Sequence, residues 1–180
     1  MKKLRIAEII KSDVANGEGI RLSIFVSGCT LHCKDCFNYK AQDFNYGEEY
    51  IEGYSDRQIF FELDKGYYDG ITILGGEPFE YVNQKDLYNL IQEIKKRYPN
   101  LNIWMYTGFI YDKDLLVGGQ RHYGVMTNKI LDNIDILVDG PFIVEKRNLK
   151  LKFRGSENQR IIDMRKSRES NSVVLSELNN

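Results

Sequence analysis

The sequence predicts a single-domain α/β fold, an incomplete, open (β/α) barrel. Short apolar runs that read as strands alternate with stretches of helical period, and that alternation marks a parallel sheet with helical crossovers. The chain has 180 residues, short of the about 200–250 that a closed eight-unit barrel needs. No internal repeat or linker divides it, and an apolar fraction of 42% with 28% charged residues is ordinary for one globular core.

The elements follow in order. Leu4–Ile10 alternates as a first strand, and Asp13–Gly19 reads as a loop. Ile20–Val26 is a stronger strand, with Leu22, Ile24 and Val26 on one face and Arg21 and Ser23 on the other. Phe25 breaks that alternation, which suits a strand covered on both faces. Residues 41–54 have no clear period. Ser55-Asp56-Arg57-Gln58 has the form of a capping box opening a short helix through Leu63. Gly70–Leu74 is a buried strand that runs into Gly75-Gly76-Glu77-Pro78. Asn83 is placed to cap the next helix, in which Leu87, Leu90, Ile91 and Ile94 fall on one face. Asn102–Tyr106 is a strand closed by the Thr107-Gly108 turn. Helical potential around Asp112–Leu116 and Asn128–Leu131 precedes a last strand, Ile134–Val138, that ends at Asp139-Gly140-Pro141. Residues 1–165 are assigned to the domain. The polar residues 166–180 form a tail expected to be loosely ordered.

All three cysteines lie in Cys29-Thr30-Leu31-His32-Cys33-Lys34-Asp35-Cys36, at the spacing C-x3-C-x2-C. Thiolates this close are oxidisable and soft enough to capture metal. Three sulfurs from so short a loop can hold three corners of a four-iron cluster and leave the fourth iron without a protein ligand. An open coordination position marks a catalytic site rather than a closed structural one. The alternative is structural zinc, which takes four ligands, commonly as two separated pairs. Here there is no fourth cysteine, His122 is the only histidine outside the motif, and His32 is expected to point away from the ions its neighbour Cys33 holds.

Lys and Arg number 25 against 26 Asp and Glu, so net charge gives no broad reason to bind nucleic acid or membrane. No apolar run follows the basic start as in a signal peptide, and none has the length of a membrane span. Three clustered cysteines, an odd count, do not make a disulfide framework. The expected compartment is the reducing cytoplasm. With two histidines in all, a Ser/His/Asp or Cys/His nucleophilic site is not expected. Gly17-x-Gly19 and Gly118-Gly119 read as loops.

The cysteine spacing resembles the signature of the radical S-adenosylmethionine (SAM) enzymes. Phe25-Val26-Ser27-Gly28 and Phe37-Asn38, which flank it, are similar to one branch, the activating proteins of anaerobic ribonucleoside-triphosphate reductase. So are Gly75-Gly76-Glu77-Pro78, Tyr106-Thr107-Gly108, Val138–Phe142 and Phe153–Arg160. The resemblance implies the same incomplete barrel, of the radical SAM type. It also implies a [4Fe-4S] cluster on Cys29, Cys33 and Cys36, whose open iron is chelated by the amino and carboxylate groups of SAM. One electron then splits the sulfonium, giving methionine and a 5′-deoxyadenosyl radical that removes hydrogen from a glycine of the partner reductase. A strong donor such as flavodoxin or ferredoxin is implied.

Residue by residue, the resemblance makes Gly75 and Gly76 the turn that holds the SAM amino group. Two glycines let a backbone approach a ligand closely. Glu77 supports that turn, and Thr107 is a candidate for the nucleoside or methionyl part. Many relatives carry an aromatic residue just before the third cysteine, packed on the adenine. Asp35 stands there, so stacking by that position is ruled out, while backbone groups of Asp35 and Phe37, next to Cys36, can read the base edge. Phe37 has either that packing role or a core role. Asp139-Gly140-Pro141 and Phe153–Ser156 read as partner recognition or closure of the site. Two rivals stay open: another radical SAM enzyme, either a different glycyl-radical activase or a deazaguanine-precursor synthase, and a non-catalytic zinc-binding module.

Overall fold

Seven strands form one mixed sheet in a computed structural model of the chain, which describes residues 3–180. In chain order they are β1 (Arg5–Asp13), β2 (Arg21–Val26), β3 (Glu48–Glu49), β4 (Gly70–Gly75), β5 (Asn102–Tyr106), β6 (Ile136–Asp139) and β7 (Arg160–Asp163). The α-helices are α1 (Ser55–Leu63), α2 (Tyr81–Arg97), α3 (Val125–Leu131) and α4 (Met164–Ser170). Across the sheet the order is β3-β1-β2-β4-β5-β6-β7. The parallel run β2, β4, β5, β6 follows chain order, with α1, α2 and α3 in the successive connections. The sheet therefore winds in one direction.

Parallel pairing is confined to that centre. β1 pairs antiparallel with β2 and β3, and β7 pairs antiparallel with β6. A parallel partner needs a crossover of about a dozen residues or more, and residues 14–20 between β1 and β2 are too few. Residues 140–159, between β6 and β7, contain only the 3-10 turn Val144–Lys146 and fold back on themselves.

Strand alternation sorts the two faces. Leu22, Ile24, Ile71, Ile73, Ile103, Met105, Leu137 and Ile162 share one core with Ile59, Phe60 and Leu63 of α1. Leu87, Leu90, Ile91 and Ile94 of α2 and Ile130 and Leu131 of α3 complete it. The four α2 residues are 0–1% exposed, each worth roughly 1.5–3 kcal/mol of burial. The other face carries a buried polar row and the small cluster of Trp104, Val138 and Ile161, packed with Tyr106 and Phe153. There Arg21, fully buried, donates to the Thr72 hydroxyl at 2.6 Å and the Ile71 carbonyl at 2.7 Å. Ser23 donates to Asp13 at 2.6 Å. All six residues of β2 are buried, as a strand covered on both faces requires.

Two local expectations change. No capping box opens α1. The Ser55 hydroxyl instead accepts the Ile51 N–H, and Asp56 accepts from the Gly53 N–H and the Tyr50 hydroxyl. Nor are the residues after Asp163 loosely ordered. Asp163 caps α4 by accepting the Lys166 N–H, and Leu175 bridges to Ile162. The Asn179 side chain pairs with both the N–H and the carbonyl of Ile161. A polar segment is held here by side-chain bonds to the edge strand rather than by apolar burial. Among the described residues no helix is long and apolar enough to cross a membrane.

Candidate functional site

Val26 and Gly75 are the last paired residues of β2 and β4, so the cysteine loop and the Gly75-Gly76-Glu77-Pro78 turn leave the sheet side by side. Thr107 after β5 and Gly140 after β6 leave at the same edge. This is the carboxyl end of a parallel sheet, where α/β folds bind ligands. A cavity of about 600 Å³ opens there. Cys29, Cys33 and Cys36 line it together with Asp35, Phe37, Gly75, Gly76 and Thr107.

The loop holds its shape mainly through backbone bonds. The Gly28 N–H donates to the Ala41 carbonyl at 2.7 Å and the Cys29 N–H to the Gln42 carbonyl at 3.1 Å. Glu80 accepts both the N–H and the hydroxyl of Thr30, at 2.8 and 2.6 Å. His32 and Asp35 adopt left-handed backbone, φ 48° and 55°, at about 1–2 kcal/mol each. Each immediately precedes a cysteine, and the two reversals turn Cys33 and Cys36 toward the cavity. The His32 ring pairs with Gln42 at 3.0 Å, away from the sulfurs. Phe37 is 83% exposed on the rim, which removes the core reading of it.

Glu77 stands behind the turn rather than in the cavity wall and is fully buried. Its carboxylate accepts the Phe79 N–H at 2.9 Å, the Thr107 hydroxyl at 2.8 Å and the Gly108 N–H at 2.8 Å. Burial pushes this carboxyl up to about 7, against the pull of those three donors. Thr107 spends its hydroxyl on Glu77 while also accepting the Phe109 N–H. The hydroxyl is thus a brace, and the cavity meets the rest of the residue.

Asn83 is not a cap. It lies inside the first turn of α2, fully buried, and donates to the carbonyls of Ser27 and Glu77, both at 3.0 Å. Beside it the Gly76 N–H donates to the Val26 carbonyl at 2.6 Å and the Glu77 N–H to the Gly28 carbonyl at 2.8 Å. A Cβ on Gly76 would fall 2.6 Å from the backbone oxygens of both Ala41 and Gly28. Only glycine lets the two turns come this close.

Residues 140–159 form the far wall, with Phe142, Arg147, Leu149 and Phe153 facing the cavity. Asn158 donates to the Pro141 carbonyl at 2.7 Å and Gln159 to the Gly140 carbonyl at 3.1 Å. The Tyr106 hydroxyl donates to the Phe153 carbonyl at 2.7 Å. Behind Gly140, Arg160 bridges Asp139 and Asp112 at 2.5 and 2.6 Å. The Phe142 N–H donates to the Cys33 sulfur, so this wall touches the cysteine loop directly.

The donor set suits an iron–sulfur cluster. Burial pushes the Cys29 thiol up to about 12 despite donation from the Leu31 and His32 N–H groups, and it also pushes Cys33 up. A thiol so placed becomes a thiolate when a bound cation deprotonates it, and N–H donors aimed at sulfur are what tune a cluster's potential. Among the described residues no group of three or more His, Cys, Asp and Glu closes on one point as the ligands of a single ion do. Cys29, Cys33 and Cys36 nevertheless all line the one cavity.

A family described as a 4Fe-4S single cluster domain matches residues 15–162. The anaerobic ribonucleoside-triphosphate reductase-activating protein of Haemophilus influenzae is 38% identical over 150 residues, 82% of this chain and 90% of that protein. Its namesake in Escherichia coli K12 is 34% identical over 155 residues, 85% and 94% of the two chains. The one in Vibrio cholerae is 35% identical over 148 residues, 82% and 90%. The chain belongs to the anaerobic ribonucleoside-triphosphate reductase-activating protein family.

For a member of this activating-protein family, the residues that sequence reasoning missed are those acting at a distance: Asn83, Glu80 and the Phe142 N–H. Asn83 and Glu80 are polar residues at a helix start, a pattern that reads locally as capping. The Phe142 N–H is a backbone group with no sequence signal of its own.

Proposed function

We propose that this chain activates an anaerobic ribonucleoside-triphosphate reductase as a radical SAM enzyme. When bound, the [4Fe-4S] cluster supplies the electron that cleaves SAM reductively, and the resulting 5′-deoxyadenosyl radical takes hydrogen from a partner glycine to leave a glycyl radical. The observation that carries this reading is the meeting of Cys29, Cys33, Cys36, Gly75, Gly76 and Thr107 on one cavity, in a chain of the activating-protein family.

Each residue has a task in that reading. Cys29, Cys33 and Cys36 would hold the cluster, and the chain offers no fourth cysteine. The Phe142, Leu31 and His32 N–H groups offset thiolate charge. Gly75 and Gly76 present backbone to the ammonium of SAM, and the buried Glu77 adds negative charge behind them. The exposed Phe37 packs on the nucleoside from the rim, and backbone groups from Asp35 to Phe37 read its base edge. The loop wall of residues 140–159 screens the cavity from water. A backbone glycine can enter from the open side because no side chain blocks approach to its Cα.

In the same reading the sheet is an open barrel of the radical SAM type, its lumen the face that carries Arg21, Thr72 and Trp104. Residues 1–165 are the catalytic unit and 166–180 a segment fastened to its last strand. The thiolates and their low-potential cluster belong in a reducing cytoplasm, with a flavodoxin or ferredoxin as donor. The test is anaerobic mixing with the reductase, SAM and a reductant. A glycyl doublet in electron paramagnetic resonance is expected, and 5′-deoxyadenosine release without that doublet would leave the partner assignment wrong.

A further inference from the structure

Residues 145–154 read Glu-Lys-Arg-Asn-Leu-Lys-Leu-Lys-Phe-Arg, five basic side chains against one acidic, in a chain whose net charge is −1. Arg154 is occupied, donating to the Gln159 carbonyl at 2.8 Å and the Asn179 carbonyl at 2.6 Å. Lys146, Arg147, Lys150 and Lys152 are exposed, and none of them takes part in an ion pair among the described residues. Arg147 faces the cavity, whereas Lys146, Lys150 and Lys152 do not line it. They are exposed cations on the same loop that walls the site. Four cations without an ion pair on one short loop repel one another.

This loop is also the part of the surface that touches the cysteine loop from outside. The Phe142 N–H reaches the Cys33 sulfur, and Glu145 pairs with Lys34, which lies between Cys33 and Cys36, at 3.9 Å. A body seated on Lys146, Lys150 and Lys152 would lie next to the cysteines without entering the cavity. A protein substrate must enter the cavity. An electron donor need only come close. All three cysteines of the chain are in the one motif, which leaves no second cysteine group to relay an electron from elsewhere on the surface.

We infer that the 145–152 surface is the docking face for an acidic, low-potential one-electron carrier protein, which delivers its electron past Phe142 and Cys33. The inference rests on the radical SAM reading. The step balances simply: the carrier's reduced centre loses one electron and the cluster gains it, with no bond made or broken in this chain. Charge complementarity sets the rate of encounter more than the final affinity, and steering of this kind is worth about 10- to 1,000-fold at low salt.

The test uses the reconstituted full chain and an acidic flavodoxin as probe. Two readouts are taken: the second-order rate of cluster reduction, and flavodoxin binding to the protein without turnover. The triple variant K146E/K150E/K152E should lower the reduction rate by about tenfold or more at low ionic strength, and the parent's rate should fall steeply as salt rises. Binding should weaken in parallel. Reduction by photoreduced deazaflavin, and the SAM cleavage it drives, should be unchanged. The milder K146Q/K150Q/K152Q set should fall between the two. Equal flavodoxin rates in parent and triple variant overturn the proposal. So does an unchanged flavodoxin rate with a lost glycyl radical yield, which would give the surface to the reductase instead. A parent that deazaflavin reduces but that never cleaves SAM overturns the radical SAM reading itself, and the docking face with it.

Discussion

The Glu77 carboxylate accepts the Gly108 N–H at 2.8 Å and so ties the turn after β4 to the turn after β5. A fully buried carboxylate in contact with three donors is a structural joint. Glu77→Gln would set an amide NH2 against at least one of the N–H donors and leave it unpaired, at about 2–3 kcal/mol. For a chain of this size that lowers the melting temperature by roughly 4–12 °C. Calorimetry of parent and variant checks it, and an unchanged melting temperature would remove Glu77 from this role.

The same carboxyl gives a pH dependence with a definite sign. Burial raises its folded pKa from the ordinary 4.5 to about 7, so between those values the folded chain holds a proton that the unfolded chain has released. Stability from this group is fully present below about pH 4.5 and is lost as pH rises through 7. SAM binding should follow the opposite trend, because only the ionised form favours an ammonium on the cavity side of the turn. Denaturant unfolding and SAM titration at pH 6 and pH 8 should move in opposite directions, and Glu77→Gln should flatten both.

Much of this site was legible because its residues stand where strands end. The periods of Ile20–Val26, Gly70–Leu74 and Asn102–Tyr106 put Cys29, Gly75 and Thr107 just beyond the ends of strands, and strand pairing brings them to one cavity. The parallel centre followed from the same alternation. The antiparallel edges did not, because β3 has two residues and β7 four, too few for a period to show. By sequence Asn83 reads as a cap, because polar residues at helix starts usually are. Its real partners, Ser27 and Glu77, include one 56 positions away. The C-terminal residues misled in the same way, since composition carries no trace of the pairing between Asn179 and Ile161.

Asn83→Ala should separate the two turns by removing both of its bonds, leaving the Ser27 carbonyl without its donor and the Glu77 carbonyl with only the Glu80 N–H, at about 1–3 kcal/mol. Iron content should stay near that of the parent while KM for SAM rises. Asn83→Asp should be worse, because it sets a carboxylate against two carbonyls. Equal KM values in all three proteins would show that the clamp does not position the ligand.

Gly76→Ala tests the close approach of the turns. Its Cβ meets backbone oxygens of Ala41 and Gly28 at 2.6 Å, so the cysteine loop must shift and iron loading should drop together with SAM affinity. Gly66→Ala serves as control: nothing lies within 4 Å of its Cβ, and φ +77° leaves only backbone strain, about 1–2 kcal/mol. Full iron loading in Gly76→Ala would mean that the loop can give.

Arg160→Ala strips Asp139, 1% exposed, of its cation and should cost about 2–4 kcal/mol after allowance for the partial exposure of Arg160. The loss should loosen the Gly140 end of the cavity wall. Chemical denaturation reads the first effect, and hydrogen exchange at Tyr111, whose N–H donates to Asp139 at 2.8 Å, reads the second.

The most direct measurement is metal and product analysis of the anaerobically reconstituted protein beside Cys33→Ala. About four irons per chain, with 5′-deoxyadenosine released from SAM only when a reductant is present and only in the parent, is the predicted result. A single zinc per chain, or SAM cleavage undiminished in Cys33→Ala, would contradict the account.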